Sequence, residues 1–336
     1  MALYDLPLDE LRRYTPDRVE PSDLDGFWAG TLAEAAAAAT DPVATRVAGA
    51  PASVEAHDLT FSGFGGDPVR AWLVLPADGT GRRPVGGGGS PVGGVVQLGG
   101  YSVGRGEVVD HLGWAGLGLA VLVMDSRGQG WTSGGVTGDP HGVPGPAVPG
   151  LMTRGIESPE TLYHRRLITD AVRAVGVLRS WPGVDAARVG VAGASQGGGL
   201  ALAAAALADG VAAAVVDVPF LCHFRRAVRI TDSSPYREIR DYLAVYRDRV
   251  ESVFATLDHV DGVNLAARGT CPALFSVALM DLTCPPSTVF AAYNHWAGPK
   301  DIGVYEFNGH EGGGPLHAAR ARQFLVDHLA TPAWVA

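Results

Sequence analysis

The stretch Arg188-Val189-Gly190-Val191-Ala192-Gly193-Ala194-Ser195-Gln196-Gly197-Gly198-Gly199-Leu200-Ala201-Leu202 decides the fold. A short apolar run leads into Gly193-Ala194-Ser195-Gln196-Gly197, a G-x-S-x-G sequence, and the chain opens at once into an alanine-rich helical stretch to Leu207. Strand, sharp turn and helix make a nucleophile elbow. Small residues let the backbone bend tightly enough to project the Ser195 hydroxyl. The helix start behind it offers unpaired N–H groups to a developing oxyanion. Without that setting the pentapeptide is an ordinary glycine-rich turn, so the rest of the chain has to supply the context.

It does so in a βα rhythm. Strand candidates on either side of the elbow are Val95 to Leu98, Leu119 to Met124, Val211 to Val218, Ala273 to Leu279 and Ile302 to Phe307. Continuous apolar runs of this length suit a parallel sheet buried on both faces. Helical stretches lie between them: Glu107 to Ala115, Leu167 to Ser180, Ser287 to Trp296 and, last, Leu316 to Leu329. Val54 to Ser62 and Val69 to Leu75 read as a first hairpin. The expected fold is therefore α/β, a doubly wound, mostly parallel sheet of about eight strands. Residues 1–50 read as an N-terminal helical extension packed on a hydrolase domain of residues 51–336. Its helix runs from Asp23 to Ala39, capped by Ser22 or Asp23.

Two segments break the rhythm. Residues 79–94 are glycine-rich and read as a loop; no Lys-Ser/Thr ending follows to make a phosphate cradle. Residues 219–272 are too many for a simple crossover. They read as a helical insertion above the strand C-termini, where such sheets bind ligands, with Ser233 to Arg249 polar and aromatic.

Composition limits the partners. Of 336 residues 47% are apolar and the net charge is −9, so a sizeable core is available and neither nucleic acid nor an anionic membrane is expected. Cys222, Cys271 and Cys284 are odd in number and widely spaced, which reads as reduced core thiols rather than a metal site or disulfide framework. The first residues lack a basic and apolar leader, no apolar run is long enough to span a membrane, and a cytoplasmic protein without cofactor or metal is expected.

In the chain order of an α/β-hydrolase, the serine is followed by an acid and then a histidine, each after a strand. Asp281 follows the run Ala273 to Met280 and is favoured over Asp217, inside a strand run, and Asp301, ahead of one. His310 follows Val304 to Phe307 in the loop Asn308-Gly309-His310-Glu311-Gly312, the place for a general base. Two oxyanion donors are needed. The N–H of Gln196 is one, and Tyr101, after Gly99-Gly100, is the candidate for the other.

With these residues assembled the chain resembles carbohydrate esterase family seven, the acetyl xylan esterase and cephalosporin-C deacetylase family. The likeness lies in Arg127-Gly128-Gln129, the Ser195 pentapeptide and His310-Glu311. It extends to Met152-Thr153-Arg154-Gly155-Ile156, to Asp217 through Arg226 and to Cys284 through Asn294, and covers the chain from about residue 20. The resemblance implies Ser195, Asp281 and His310 as triad and Tyr101 and Gln196 as oxyanion donors. It implies Arg127, Gln129 and Glu311 as supports. It implies deacetylation of xylo-oligosaccharides and small acetyl esters in a hexamer, a dimer of trimers, with the segment after Phe220 at the interface. One departure is Gly99-Gly100-Tyr101, where the family usually has His-Gly-Tyr. The rival readings are a broad carboxylesterase or peptidase on the same scaffold and, further off, a non-catalytic hydrolase-like scaffold.

Overall fold

The order in which the strands pair places the elbow at the centre of the molecule. The structure, a computed structural model, describes residues 3–77, 91–142 and 149–330. Its sheet has nine strands in the order β1-β2-β3-β5-β4-β6-β7-β8-β9. The antiparallel part is β1 (Val43–Arg46), β2 (Val54–Ser62) and β3 (Pro68–Pro76). The parallel part is β4 (Val92–Leu98), β5 (Ala120–Met124), β6 (Val184–Ala194), β7 (Ala214–Asp217), β8 (Ala273–Ala278) and β9 (Lys300–Tyr305). β5 joins the two parts, running antiparallel to β3 and parallel to β4. This is the α/β-hydrolase topology, and β6 is flanked on both sides by parallel strands.

Helices cover both faces, which is why the central strands carry apolar residues on both. On one face α4 (Tyr163–Arg179), α5 (Gln196–Leu207) and α10 (Pro286–His295) bury Val96, Leu98, Val191, Phe275 and Val277. On the other, α3 (Leu112–Gly116) and α11 (Gly314–Leu329) flank Val95, Ala192, Val215 and Leu274. The chain between β7 and β8 forms α6 (Phe224–Ile230), α7 (Tyr236–Val245), α8 (Val250–Asp258) and α9 (Gly262–Ala266). Ahead of the sheet lie α1 (Leu8–Leu11) and α2 (Leu24–Ala37). The N-terminal segment is tied into the molecule by polar contacts: Asp5 accepts from Arg226 in α6 (2.8 Å) and from the Ser287 N–H in α10 (2.8 Å). Among the described residues no helix is long and apolar enough to cross a membrane.

The structure refines the expected strand count and helix cap and corrects the readings of residues 92–94 and 107–115. The sheet has nine strands because Val43–Arg46 pairs with His57–Thr60, so the segment before residue 50 supplies an edge strand as well as helices. That strand is short and mostly exposed, and shows no apolar alternation to read. Of the glycine-rich run 79–94, residues 92–94 belong to β4, while residues 78–90 lie outside the described residues. A Cβ at Gly93 would sit 2.1 Å from the Leu329 carbonyl oxygen, so glycine there reflects the close approach of α11 rather than a loop. Glu107 to Ala115 is not one helix but a 3-10 turn, Val108–His111, followed by α3. Asp23 is the N-cap of α2 yet makes no capping hydrogen bond; its carboxylate meets His259 at 3.2 Å instead.

His164, in the first turn of α4, is fully buried, and neither ring nitrogen has a hydrogen-bond partner among the described residues. Burial lowers its pKa from 6.5 to about 3. The ring is neutral in the folded chain, so its contribution to stability is present above pH 6.5 and is lost as pH falls toward 3. Stability should fall by up to about 1.4 kcal/mol per pH unit from this group alone. His164→Phe should flatten the pH dependence of the urea midpoint between pH 6.5 and 4. A slope identical to that of the parent chain contradicts the assignment.

Candidate active site

Ser195 directly follows β6 in a backbone conformation that L-residues rarely adopt, with φ 58° and ψ −121°. The turn closes only because its neighbours lack side chains. A Cβ on Gly193 would lie 2.3 Å from the Gly197 carbonyl carbon, and one on Gly197 would lie 2.1 Å from the Leu98 carbonyl oxygen. The Ser195 N–H donates to the Asp217 carbonyl (3.0 Å), and its own carbonyl accepts from Gly199 (3.0 Å) and Phe220 (2.9 Å). These bonds hold the strained residue from both sides.

The His310 loop meets it from β9. His310 Nε2 lies 3.0 Å from Ser195 Oγ, and Nδ1 lies 2.8 Å from Asp281 Oδ2. With a carboxylate at Nδ1 the ring proton sits there, leaving Nε2 to accept the serine hydroxyl. Asp281 is fully buried, and its other oxygen accepts the N–H groups of Thr283 (2.7 Å) and Cys284 (3.0 Å). The structure thus brings together the three residues chosen from strand order. The alternatives are engaged elsewhere. Asp217, at the end of β7, accepts from His317 (2.6 Å), and Asp301, at the start of β9, pairs with Arg320.

Asp281, Cys284 and His310 also present ligand atoms within 4.8 Å of one another. Burial pushes the Cys284 thiol well above its ordinary range, so it stays protonated. Both His310 nitrogens are occupied by Ser195 and Asp281, which is the arrangement of a hydrogen-bonded relay and a poor one for a cation.

Gln196 opens α5. Among the described residues neither its N–H nor that of Tyr101 has an acceptor, and both belong to turns beside Ser195. The Gln196 amide also reaches across to the Gly100 carbonyl (3.3 Å), tying the two donor loops together. Gln129 Nε2 donates to Gln196 Oε1 (2.9 Å), while Gln129 Oε1 accepts the Ser102 N–H (2.6 Å). Gln129 also contacts the Tyr163 hydroxyl (2.8 Å), which donates to the Arg127 carbonyl (2.6 Å). Arg127, fully buried, makes a two-point pair with Asp170 (2.6 and 2.7 Å) and further bonds to Asp67 (3.0 Å) and Asp139 (3.1 Å). Glu311 is exposed and braces the His310 loop by accepting from Asn308 (3.0 Å) and the Gly309 N–H (3.2 Å).

Sequence reasoning missed Glu238. This residue of α7 accepts the Tyr101 hydroxyl (2.9 Å) and the Met152 N–H (3.0 Å), so the insertion fixes the ring beside the elbow. It missed Tyr4, whose hydroxyl donates to the Asp281 carbonyl (2.5 Å). No local pattern signals these contacts, because each joins residues at least 86 positions apart.

A model of the acetyl xylan esterase (AXE1) family matches residues 1–328. The chain belongs to the acetyl xylan esterase family. It is a carboxylic ester hydrolase by that membership. Among solved structures, an acetyl xylan esterase from Paenibacillus sp. R4 is 38% identical with a TM-score of 0.89, over 96% of this chain and 100% of that one. Acetyl xylan esterase 1 from Thermoanaerobacterium sp. JW/SL YS485 is 34% identical with a TM-score of 0.87, over 96% and 99%. Acetyl esterase Axe7A of Xylanibacter ruminicola is 31% identical over 166 residues, 48% of this chain. The match spans only 36% of that longer relative.

The buried Arg127–Asp170 pair yields a stability prediction. Burial pushes the Asp170 carboxyl up and Arg127 pulls it back, so removing the cation strands a buried acid. Arg127→Met should destabilise the chain by about 3–5 kcal/mol in urea unfolding. A loss below about 1 kcal/mol would mean the pair is solvated and does not brace the site.

Proposed function

We propose that this protein removes acetyl groups from O-acetylated xylo-oligosaccharides and related small acetyl esters, the cephalosporin C type included, through an acetyl-Ser195 intermediate. The observation that carries the reading is the unbroken contact from Ser195 Oγ through His310 to buried Asp281, 3.0 and 2.8 Å long. In this mechanism His310 takes the Ser195 proton as the oxygen attacks the ester carbonyl. The Gln196 and Tyr101 N–H groups and the start of α5 stabilise the oxyanion. His310 then protonates the departing sugar oxygen, and water repeats the sequence on the acetyl-enzyme. Arg127, Gln129 and Glu311 act through the loops they brace and touch no reacting atom.

The same reading includes a homohexamer, a dimer of trimers, with the 219–272 insertion at the contact; exposed Val245 on α7 supports an apolar surface there. It also includes a cytoplasmic location, where the buried thiols of Cys222, Cys271 and Cys284 stay reduced.

Replacing the proposed nucleophile, Ser195→Ala, should lower kcat on 4-nitrophenyl acetate by roughly 10⁴-fold or more while leaving the fold intact. Asp281→Asn should cost on the order of 10³–10⁴-fold by favouring the wrong His310 tautomer. Asp217→Asn, by contrast, should register in thermal stability. Exchange of the two aspartate results would overturn the choice of acid.

Acyl preference follows from the walls around Ser195. The Tyr101 ring, pinned by Glu238, stands edge-on to Phe220 and Trp131 with centroids 6.5 and 5.7 Å away, and Pro235 lines the same mouth. A rigid wall rejects added methylenes by clash. Among 4-nitrophenyl esters kcat/KM should be highest for acetate, retained for propionate and steeply lower by butyrate. Octanoate values equal to acetate would contradict an acetyl-sized pocket.

A further inference from the structure

The loop that carries Asp281 is fastened from outside itself. It runs from the end of β8 at Ala278 to the start of α10 at Pro286. Its own polar groups serve the carboxylate: Asp281 Oδ1 accepts the N–H groups of Thr283 (2.7 Å) and Cys284 (3.0 Å), while Oδ2 meets His310 (2.8 Å). Pro285 and Pro286, which follow, have no N–H to give. Two consecutive carbonyls, those of Asp281 and Leu282, accept no backbone N–H among the described residues. Side-chain hydroxyls from far along the chain take both. Thr231, just after α6, donates to Leu282, and Tyr4 donates to Asp281 (2.5 Å) across 277 positions.

The Asp281 carbonyl is a position with leverage. The Asp281 N–H is already held, donating to the Ala278 carbonyl (3.2 Å). A bond to the carbonyl fixes the peptide plane on the other side of the same Cα. With both planes held, φ and ψ are set, and with them the direction in which the side chain leaves the backbone. The carboxylate reaches His310 from irregular backbone beyond the last pair of the β8–β9 ladder, Ala278 with Tyr305, so its aim depends on that direction. Tyr4 can hold the carbonyl because its own segment is anchored. The buried Asp5 side chain accepts from Arg226 (2.8 Å) and from the Ser287 N–H (2.8 Å), and Arg226 Nε donates to Ser287 Oγ (2.5 Å). Further along, the Asn294 amide donates to the carbonyls of Leu11 (3.2 Å) and Tyr14 (2.8 Å). Burial, reinforced by the Asp5 and Asp281 carboxylates, pushes the Tyr4 hydroxyl above its ordinary range, so it keeps its proton and donates.

We infer that Tyr4 is a positioning residue for the proposed triad acid: through the Asp281 carbonyl, its hydroxyl aims the Asp281 carboxylate at His310. This inference rests on the proposed esterase reading. Tyr4 touches no reacting atom and does not line the cavity around Ser195. Its contribution is therefore to the chemical steps, in which Asp281 orients the imidazole and stabilises its protonated form, and not to the binding of substrate. The N-terminal segment, read from sequence as an extension packed on the domain, becomes part of the catalytic frame through this one hydroxyl.

The test removes the hydroxyl and keeps the ring. On 4-nitrophenyl acetate, with rates normalised per active site by burst titration, Tyr4→Phe should lower kcat about tenfold and leave KM within about twofold of the parent value. Tyr14→Phe removes another hydroxyl of the same segment, 3.0 Å from His223 Nε2, and should leave kcat unchanged. A double-mutant cycle with Asp281→Asn separates aiming from general support. If Tyr4 acts through Asp281, Tyr4→Phe should cost less than about twofold further in the Asp281→Asn background, whereas independent effects multiply. A parent-like kcat in Tyr4→Phe, a loss carried by KM, equal losses in Tyr4→Phe and Tyr14→Phe, or multiplying losses in the double variant each overturn the inference. Should Tyr4→Phe fail to fold by circular dichroism, Asp5→Asn, which loosens the anchor beside it, enters the same cycle with the same outcomes. Turnover of 4-nitrophenyl acetate that survives Ser195→Ala is a failure of the esterase reading instead. Amide hydrogen exchange then decides: the peptide containing Thr283 and Cys284 should exchange about tenfold faster in Tyr4→Phe than in Tyr14→Phe, and equal rates overturn the inference.

Discussion

The whole arrangement depends on one strained residue. Ser195 occupies a left-handed backbone conformation at the end of a central strand, which costs about 1–3 kcal/mol and persists only where the surroundings over-determine it. Three backbone hydrogen bonds to Asp217, Gly199 and Phe220 do that, and the missing side chains at Gly193 and Gly197 make room for it. Because β6 is bracketed by parallel strands on both sides, the turn has no freedom to relax. In the proposed mechanism the strain has a chemical use: it presents the Ser195 hydroxyl to the ester beside the start of α5.

From that residue outward the site is held in layers of increasing burial. The Ser195 oxygen and the His310 imidazole are partly exposed, as groups proposed to meet a substrate have to be; Asp281 and Gln196 are fully buried. Behind them a continuous path runs from Gln196 through Gln129 and Tyr163 to Arg127, ending in a pair with no exposed surface. A buried ion pair adds little net stability, but it fixes geometry because neither partner can leave without stranding the other. The two loops that carry the proposed oxyanion donors are tied to this frame by side-chain amides, and Tyr101 is tied to the insertion through Glu238. The insertion is therefore part of the site and not only a cover over it.

Local patterns carried the fold and the three residues that meet as Ser195, His310 and Asp281, and long-range contacts did not show in them. The elbow was legible because its requirement is local: glycine, serine and glycine at fixed spacing between an apolar run and a helix. Asp281 and His310 were legible because both follow apolar runs long enough to read as strands. β1 was not, since four mostly exposed residues at a sheet edge carry no periodicity. Gly93 in β4 was read as loop because the reason for it is the carbonyl of Leu329, more than two hundred residues away. Glu238 and Tyr4 were invisible for the same cause. The roles of Arg127 and Gln129 came from family resemblance, and their bonding partners Asp170, Tyr163 and Gln196 emerged only with the fold.

The measurement that tests the account most directly is the state of the enzyme during turnover. Rapid mixing with 4-nitrophenyl acetate, acid quenching and peptide mass analysis should find one acetyl group per chain on the peptide containing Ser195, with a burst of nitrophenol of about one equivalent. Acetylation confined to another residue, or turnover without any acetylated chain at quench times shorter than one catalytic cycle and without a burst in a deacylation-limited regime, would contradict it.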